Sequence, residues 1–271
     1  MNDHHEICLV DAHVHFHDAG RVAATLDAAA SNFRAASDRG AGLLGVLLLA
    51  QTMAERVFES LQGSPRAGDW SLRPARDEAE TLIARRERDC IAIVCGRQLR
   101  TEEGLEVLGL GTGARFPDGL ELADAIGAVQ HAGALAILPW GFGKWLGRRG
   151  RRIKNALAES WSDPLFVGDN GGRLKSLPMP RLIRAAEARG FRVLPGSDPF
   201  PIAADHRRVG AFGFMAETEL PESAPWRALR TWLLGRSISP VPYGSGCNPI
   251  RFAVNQVGIQ LHRRLKRGAA A

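Results

Sequence analysis

The chain reads as an α/β protein: a single, distorted β/α barrel of the TIM-like kind with a C-terminal helical tail. Three observations predict this. Short apolar runs alternate with longer amphipathic segments along the chain, the pattern of β/α units around a largely parallel sheet. The 271 residues, 45% of them hydrophobic, suit one large domain of the size at which such barrels fall. No internal repeat, low-complexity tract or Pro/Gly/Ser linker divides the chain. Residues 1–248 are therefore assigned to the barrel, and residues 249–271 to a basic amphipathic helix and tail.

The first strand is expected over Ile7 to Phe16, where Ile7, Leu9, Val10, Val14 and Phe16 are too apolar for an exposed edge. A helix follows over Val22 to Ser37, then a strand over Leu43 to Ala50, the longest apolar run. Helical spacing continues in Ala54 to Leu61 and Arg76 to Arg88, ahead of a strand at Cys90 to Val94. Arg100 to Gly104 reads as a turn, and Val107 to Gly111 as a strand returning antiparallel to Cys90 to Val94. The helix Leu120 to His131 stops at Ala132-Gly133 before a strand at Ala134 to Leu138. Helix Arg151 to Glu159, strand Pro164 to Val167, and helix Pro180 to Arg189 with its stop at Gly190 come next. Strands at Arg192 to Leu194 and Gly210 to Met215 and a helix at Pro225 to Leu234 complete seven of each kind, the returning strand at Val107 to Gly111 apart. Ser237 to Pro249 reads as a loop over the barrel end, and Phe252 to Arg267 as the terminal helix.

Four cysteines (Cys8, Cys90, Cys95 and Cys247) lie far apart with no C-x-x-C pair, which suggests reduced thiols and a cytoplasmic setting. The first six residues lack a basic secretion-signal start, and no apolar run is long enough for a membrane. A net charge of +6 and a pI near 9.7 favour anionic partners in general. That charge is concentrated at Lys144, Arg148, Arg149, Arg151, Arg152 and Lys154, and again at Arg263, Arg264, Lys266 and Arg267. Each cluster is read either as a solvated helix face or as an anion contact. Trp140, Phe142 and Trp145 interleave with the first cluster, as packing anchors or as stacking surfaces for a sugar or base. Nucleic acid enters as a partner on charge and aromatics alone, since no helix-turn-helix or finger is evident.

Asp11-Ala12-His13-Val14-His15-Phe16-His17 places three of the eight histidines on alternate residues. A strand repeats every two residues, so Asp11, His13, His15 and His17 would share one face, where imidazoles can converge on a metal ion or an anion. Ligands in parallel α/β folds sit at the C-terminal ends of strands. That filter selects His13, His15, His17, Gln51, Gln98, Trp140, Lys144, Asp169, Asn170, Ser197 and Asp198; His131 and His262 read as surface residues, and His4 and His5 precede the first strand. Asp198 lies in a Gly-Ser-Asp-Pro turn, where an aspartate can bond its own backbone or supply a metal site with an oxygen ligand or a base.

Leu9-Val10-Asp11-Ala12-His13-Val14-His15 resembles the opening motif of amidohydrolase-type barrels and of the polymerase and histidinol phosphatase (PHP) family of metal-dependent phosphoesterases. Glu103 to Gly111 resembles that family's returning strand, and Gly133 to Pro139 its Gly-x-x-x-x-x-His-Pro strand. Leu194 to Asp198, with Arg208-Val209-Gly210, resembles its Gly-Ser-Asp-x-His segment. The similarity runs in consistent order over roughly residues 7–215. Several family ligands are replaced: Gln98 stands for a glutamate, Glu106 for a histidine, Leu138 or Pro139 for the His-Pro histidine, and Phe200 for the last histidine.

The resemblance implies a metal-dependent hydrolase of phosphoesters or other anionic substrates. His13, His15 and Asp198 would hold a divalent ion (Zn, Mn or Fe), with fewer ions than a full PHP site, and His15 and Asp198 would be catalytic. Glu106, Asp169 or His17 could repair part of the ligand loss, and Lys144, Arg148, Arg149 and Trp140 would meet the substrate. The alternative is a barrel that has lost catalysis and acts as a binding or regulatory module.

Overall fold

The computed structural model describes residues 7–37, 43–172, 174, 176–202 and 204–246. Among them, the strands are β1 (Ile7–Val14), β2 (Gly45–Leu49), β3 (Arg66–Ala67), β4 (Trp70–Pro74), β5 (Thr81–Arg86), β6 (Asp89–Val94), β7 (Gly96–Arg100), β8 (Glu106–Leu110), β9 (Leu135–Trp140), β10 (Leu165–Asp169), β11 (Val193–Pro195), β12 (Phe212–Glu217) and β13 (Pro242–Gly244). The α-helices are α1 (Val22–Ala36), α2 (Val57–Gln62), α3 (Leu122–His131), α4 (Gly147–Ala156), α5 (Arg181–Glu187) and α6 (Pro225–Leu234).

The architecture is mixed α/β, but the expected single barrel is replaced by two sheets, ordered β13-β12-β1-β2-β6-β5-β4-β3 and β11-β10-β9-β8-β7. Their ladders do not merge into a closed ring. At one seam Gln51, just past β2, makes an isolated parallel bridge to Arg97 of β7. At the other, the Asp198 N–H, beyond β11, donates to the His13 carbonyl of β1 at 2.8 Å.

Strand alternation sorts the core. One side of β1, β2 and β6 (Val10, Val46, Leu48, Ala92, Val94) packs inward with Leu108, Ile137 and Phe166 of the second sheet, and Trp226, Leu229 and Leu233 of α6 join this cluster. The other side (Leu9, Leu47, Leu49, Ile91, Ile93) receives Val22, Leu26, Ala29, Ala30 and Phe33, the helically spaced apolar face of α1. Gly45 is required where Phe33 lies on β2, since a Cβ there would sit 2.4 Å from the ring. The outer face of β8 to β10 packs with α3, α4 and α5 in a third cluster.

Three expectations need correction, and a fourth is untested. Arg76 to Arg88 contains β5, not a helix: Thr81 to Ala84 are buried and pair with β6 in a hairpin through Glu87-Arg88. That turn, with Glu87 at φ 51°, lacks the Asn-Gly signature that advertises such hairpins. The returning strand β8 pairs antiparallel with β7 and β9, not with Cys90 to Val94, because Gly96–Arg100 forms a strand of its own. The strand near Gly210 to Met215 runs antiparallel to β1, as β12. The helix expected at Phe252 to Arg267 lies outside the described residues.

Candidate metal centre

The site begins with Asp11, a carboxylate with 0% exposure in the middle of β1. Its Oδ1 accepts the N–H of Ser197 at 2.8 Å and of His13 at 3.3 Å, and its Oδ2 accepts the N–H of Gly210 at 2.8 Å. Asp11 thus works as an internal fastener between β1 and the segments after β11 and before β12. Burial pushes its pKa up to about 6 against the lowering effect of these bonds.

The β1–β2 register shifts between Asp11 and Val14, and β1 ends at Val14, so the simple alternation expected through His17 stops early. His13 (4% exposed) and His15 (7% exposed) are buried, whereas His17 is exposed. Gly196 lets the facing loop approach, since a Cβ there would lie 2.3 Å from the His13 nitrogen. Two residues on, Asp198 adopts φ 43°, and Asn170 Nδ2 donates to its Oδ2 at 2.8 Å. Its Oδ1 is the oxygen that faces the histidines.

His13 Nε2 and His15 Nε2 lie 3.1 Å apart, and Asp198 Oδ1 is 3.6 Å from the first and 3.7 Å from the second. The circle through these three atoms has a radius of about 2.0 Å, the usual distance from zinc to imidazole nitrogen or carboxylate oxygen. Two nitrogens and one oxygen therefore fit a divalent ion with a position left open. A second group within ligand range comprises His15, His17 and Glu55. His17, however, faces Glu55 Oε1 through Nδ1 at 2.9 Å and the Pro199 carbonyl through Nε2 at 2.8 Å. As placed, both of its ring nitrogens are engaged within the chain.

The electrostatics match this division. Burial lowers the His13 pKa to about 4, with Asp198 pulling the other way, so the ring is neutral near pH 7. Burial also disfavours charge on His15, but the carboxylates of Glu55, Asp198 and Glu106 prevail and raise its pKa. Asp198 is held below the ordinary carboxylate range, because His13, His15, Lys144 and Arg208 outweigh its burial. For Glu55 burial is likewise overcome, here by His15 and His17, and its pKa falls well below the usual range.

Of the other expected residues, Glu106 meets the Lys144 ammonium with both carboxylate oxygens. Asp169 lies at a different cavity, of about 450 Å³, with Val193, Pro195 and Phe212. Trp140 is buried with Trp145 in the outer core cluster; Arg149 donates to the Gly143 carbonyl, and Arg148 is exposed. Gln98 carries a buried Oε1 without a hydrogen-bond partner. Sequence reasoning missed Glu55, which sits in the loop after β2, four residues past Gln51, where no motif marks it. Beside His15 and His17 opens a cavity of about 260 Å³, lined also by Arg21, Phe200, Ile202 and His206.

No helix among the described residues is long and apolar enough to cross a membrane. No family model matches the chain, and no curated protein matches it in sequence. Among solved structures it is similar to PsfC from Pseudomonas syringae PB-5123, at 17% identity and a TM-score of 0.56 over 96% of this chain and 98% of that one. It is also similar to the lesion-specific endonuclease PfuEndoQ from Pyrococcus furiosus, at 12% identity and a TM-score of 0.50 over 83% of this chain and 55% of that one. The chain thus spans about half the length of the endonuclease. What these likenesses show is a shared mixed α/β fold.

Proposed function

We propose that this protein is a metal-dependent hydrolase that cleaves a phosphoester or another anionic substrate at the His13, His15 and Asp198 centre. The observation that carries this reading is the convergence of two imidazole nitrogens and a carboxylate oxygen at separations suited to one ion. A divalent ion there (Zn, Mn or Fe) would lower the pKa of water to about 7 and make hydroxide accessible near neutral pH. Glu55 Oε2, 3.6 Å from His15 Nδ1, favours the tautomer that presents Nε2 to the ion. Asp198 acts as ligand and proton acceptor, steadied by Asn170. The neighbouring cavity seats part of the substrate, and Lys144, Arg148 and Arg149 contribute from the loop and helix after β9, whereas Trp140, the last residue of β9, is held in the outer core cluster. Likeness to an endonuclease, which cleaves phosphodiesters, supports the bond type, and the buried thiols of Cys8, Cys90 and Cys95 suit a reducing cytoplasm.

The test is metal analysis of protein purified without chelator, paired with His13→Ala and His15→Ala and with a phosphodiester assay. About one equivalent of metal, lost in both variants, supports the reading; no stoichiometric metal, or metal content indifferent to both, overturns it. The second reading, a non-catalytic binding module, draws on Gln98 and Phe200 standing where the family resemblance places ligands. Turnover that disappears in Asp198→Asn excludes it.

A further inference from the structure

The cavity beside the candidate centre is walled by the chain that immediately follows Asp198. Pro199, Phe200, Pro201 and Ile202 all line this space of about 260 Å³, which His15 and His17 also border. Two prolines fix φ along the segment. Hydrogen bonds pin it further: the Phe200 N–H donates to Asp205 Oδ2 at 2.6 Å, the Ile202 N–H to the Phe200 carbonyl at 2.7 Å, and the Asp205 N–H to the Ile202 carbonyl at 2.9 Å. The Pro199 carbonyl meets His17 Nε2 at 2.8 Å, which ties this wall to the histidine segment. On the histidine side the His15 and His17 rings stack, with centroids 5.0 Å apart and planes 9° from parallel. His15 borders both the centre and the cavity, so a group seated in the cavity lies against the ion site.

The lining decides what the cavity suits. Arg21 and Thr25, two polar members, are turned to partners within the chain: Arg21 Nε faces Asp18 Oδ2 at 3.2 Å, and Thr25 Oγ1 donates to the Arg21 carbonyl at 2.9 Å. A second phosphate would find the Arg21 charge already opposed by a carboxylate. Apolar surface and flat rings are what the cavity offers instead, from Phe200, Ile202, the two prolines and the imidazoles. A cavity of about 150 Å³ holds benzene, so about 260 Å³ admits one aromatic ring with a substituent. Phe200 stands where the family resemblance places a metal-binding histidine, and here that position supplies a wall in place of a ligand. We propose that this cavity is a specificity subsite for an aromatic or heteroaromatic ring carried by the phosphoryl group of the substrate, with Phe200 and Ile202 as its determinants. This rests on the hydrolase reading above and names the substrate class for the same site.

The test is isothermal titration calorimetry on protein loaded with Zn²⁺ or Mn²⁺, using two non-hydrolysable probes that differ by a ring, phenylphosphonate and methylphosphonate. Wild type should bind the phenyl compound about tenfold or more tighter. In Phe200→Ala, with its metal content unchanged, that preference should fall below about threefold while methylphosphonate binds as to wild type. Ile202→Trp, which fills the cavity, should lose the preference too, and it carries the test alone if Phe200→Ala fails to fold by circular dichroism. Competition against phenylphosphonate identifies the source of the ring: thymidine monophosphate competing as well as a short oligothymidylate supports a free ester, and stronger competition by the oligomer supports a base in a strand. Equal binding of the two probes by wild type, or a preference unchanged in a folded variant, overturns the proposal and leaves the hydrolase reading intact. A wild type that takes up neither metal removes both.

Discussion

Asp11→Ala should be among the most damaging single changes at the site, although Asp11 is not a metal ligand. The substitution strands three buried N–H groups, those of His13, Ser197 and Gly210, each now satisfied at 3.3 Å or less. A buried donor left without an acceptor costs about 1–3 kcal/mol. Removing a carboxylate whose own burial is unfavourable returns part of that, so the net loss is about 3–5 kcal/mol, against a typical total stability of about 5–15 kcal/mol. Asp11→Asn keeps one oxygen for the Ser197 and His13 donors and opposes an NH₂ to Gly210, so it should cost about 1–3 kcal/mol. Urea denaturation at pH 7.5 in EDTA measures both. The reasoning fails if Asp11→Ala lies within 1 kcal/mol of wild type, or if alanine and asparagine are equally destabilising.

Two other perturbations probe the same neighbourhood. The folded pKa of His13 lies below its usual value, so neutral His13 contributes stability that is present above about pH 6.5 and lost as pH falls toward 4. The stability difference between wild type and His13→Gln in EDTA should therefore shift against wild type over that interval; a difference constant with pH contradicts the neutral, buried ring. Gly196→Ala should destabilise by about 1–3 kcal/mol or more and weaken metal binding, because its Cβ meets His13 backbone that cannot step aside. A melting temperature and metal affinity equal to wild type would show that the loop relaxes freely.

The half of the site written in short-range patterns was legible in the sequence. His13 and His15 stand two apart at the end of an apolar run, and Asp198 follows Gly-Ser beyond another strand, so each is marked by its neighbours. Glu55 and the pairing of Glu106 with Lys144 were not legible, because each partnership is set by tertiary geometry. Glu55 meets His17 across 38 residues, and Lys144 meets Glu106 across another 38. For the fold, the buried strands β1, β2, β6, β9 and β10 announced themselves as β-branched or leucine-rich runs. β5 did not: its arginines and the preceding acidic residues imitate a helix, and its identity comes from pairing with β6. A closed ring is not found among the described residues, and nothing in local periodicity reports whether β11 pairs with β1 or β7 joins the first sheet at the two seams.

That open ring gives the candidate metal centre a second meaning. His13 and His15 belong to one lip of the gap and Asp198 to the other, and the lips are also joined through Asp198 N–H to His13 C=O, Ser197 N–H to Asp11 and His17 Nε2 with the Pro199 carbonyl. An ion coordinated from both lips would act as a clasp, so that loading the metal and shutting the ring become one equilibrium. At a free concentration one hundred times its dissociation constant, such a clasp would add about 2.7 kcal/mol to the closed state. Catalytic competence and structural integrity would then be drawn from the same three side chains, and a chelator would loosen the fold at the place where it abolishes the chemistry.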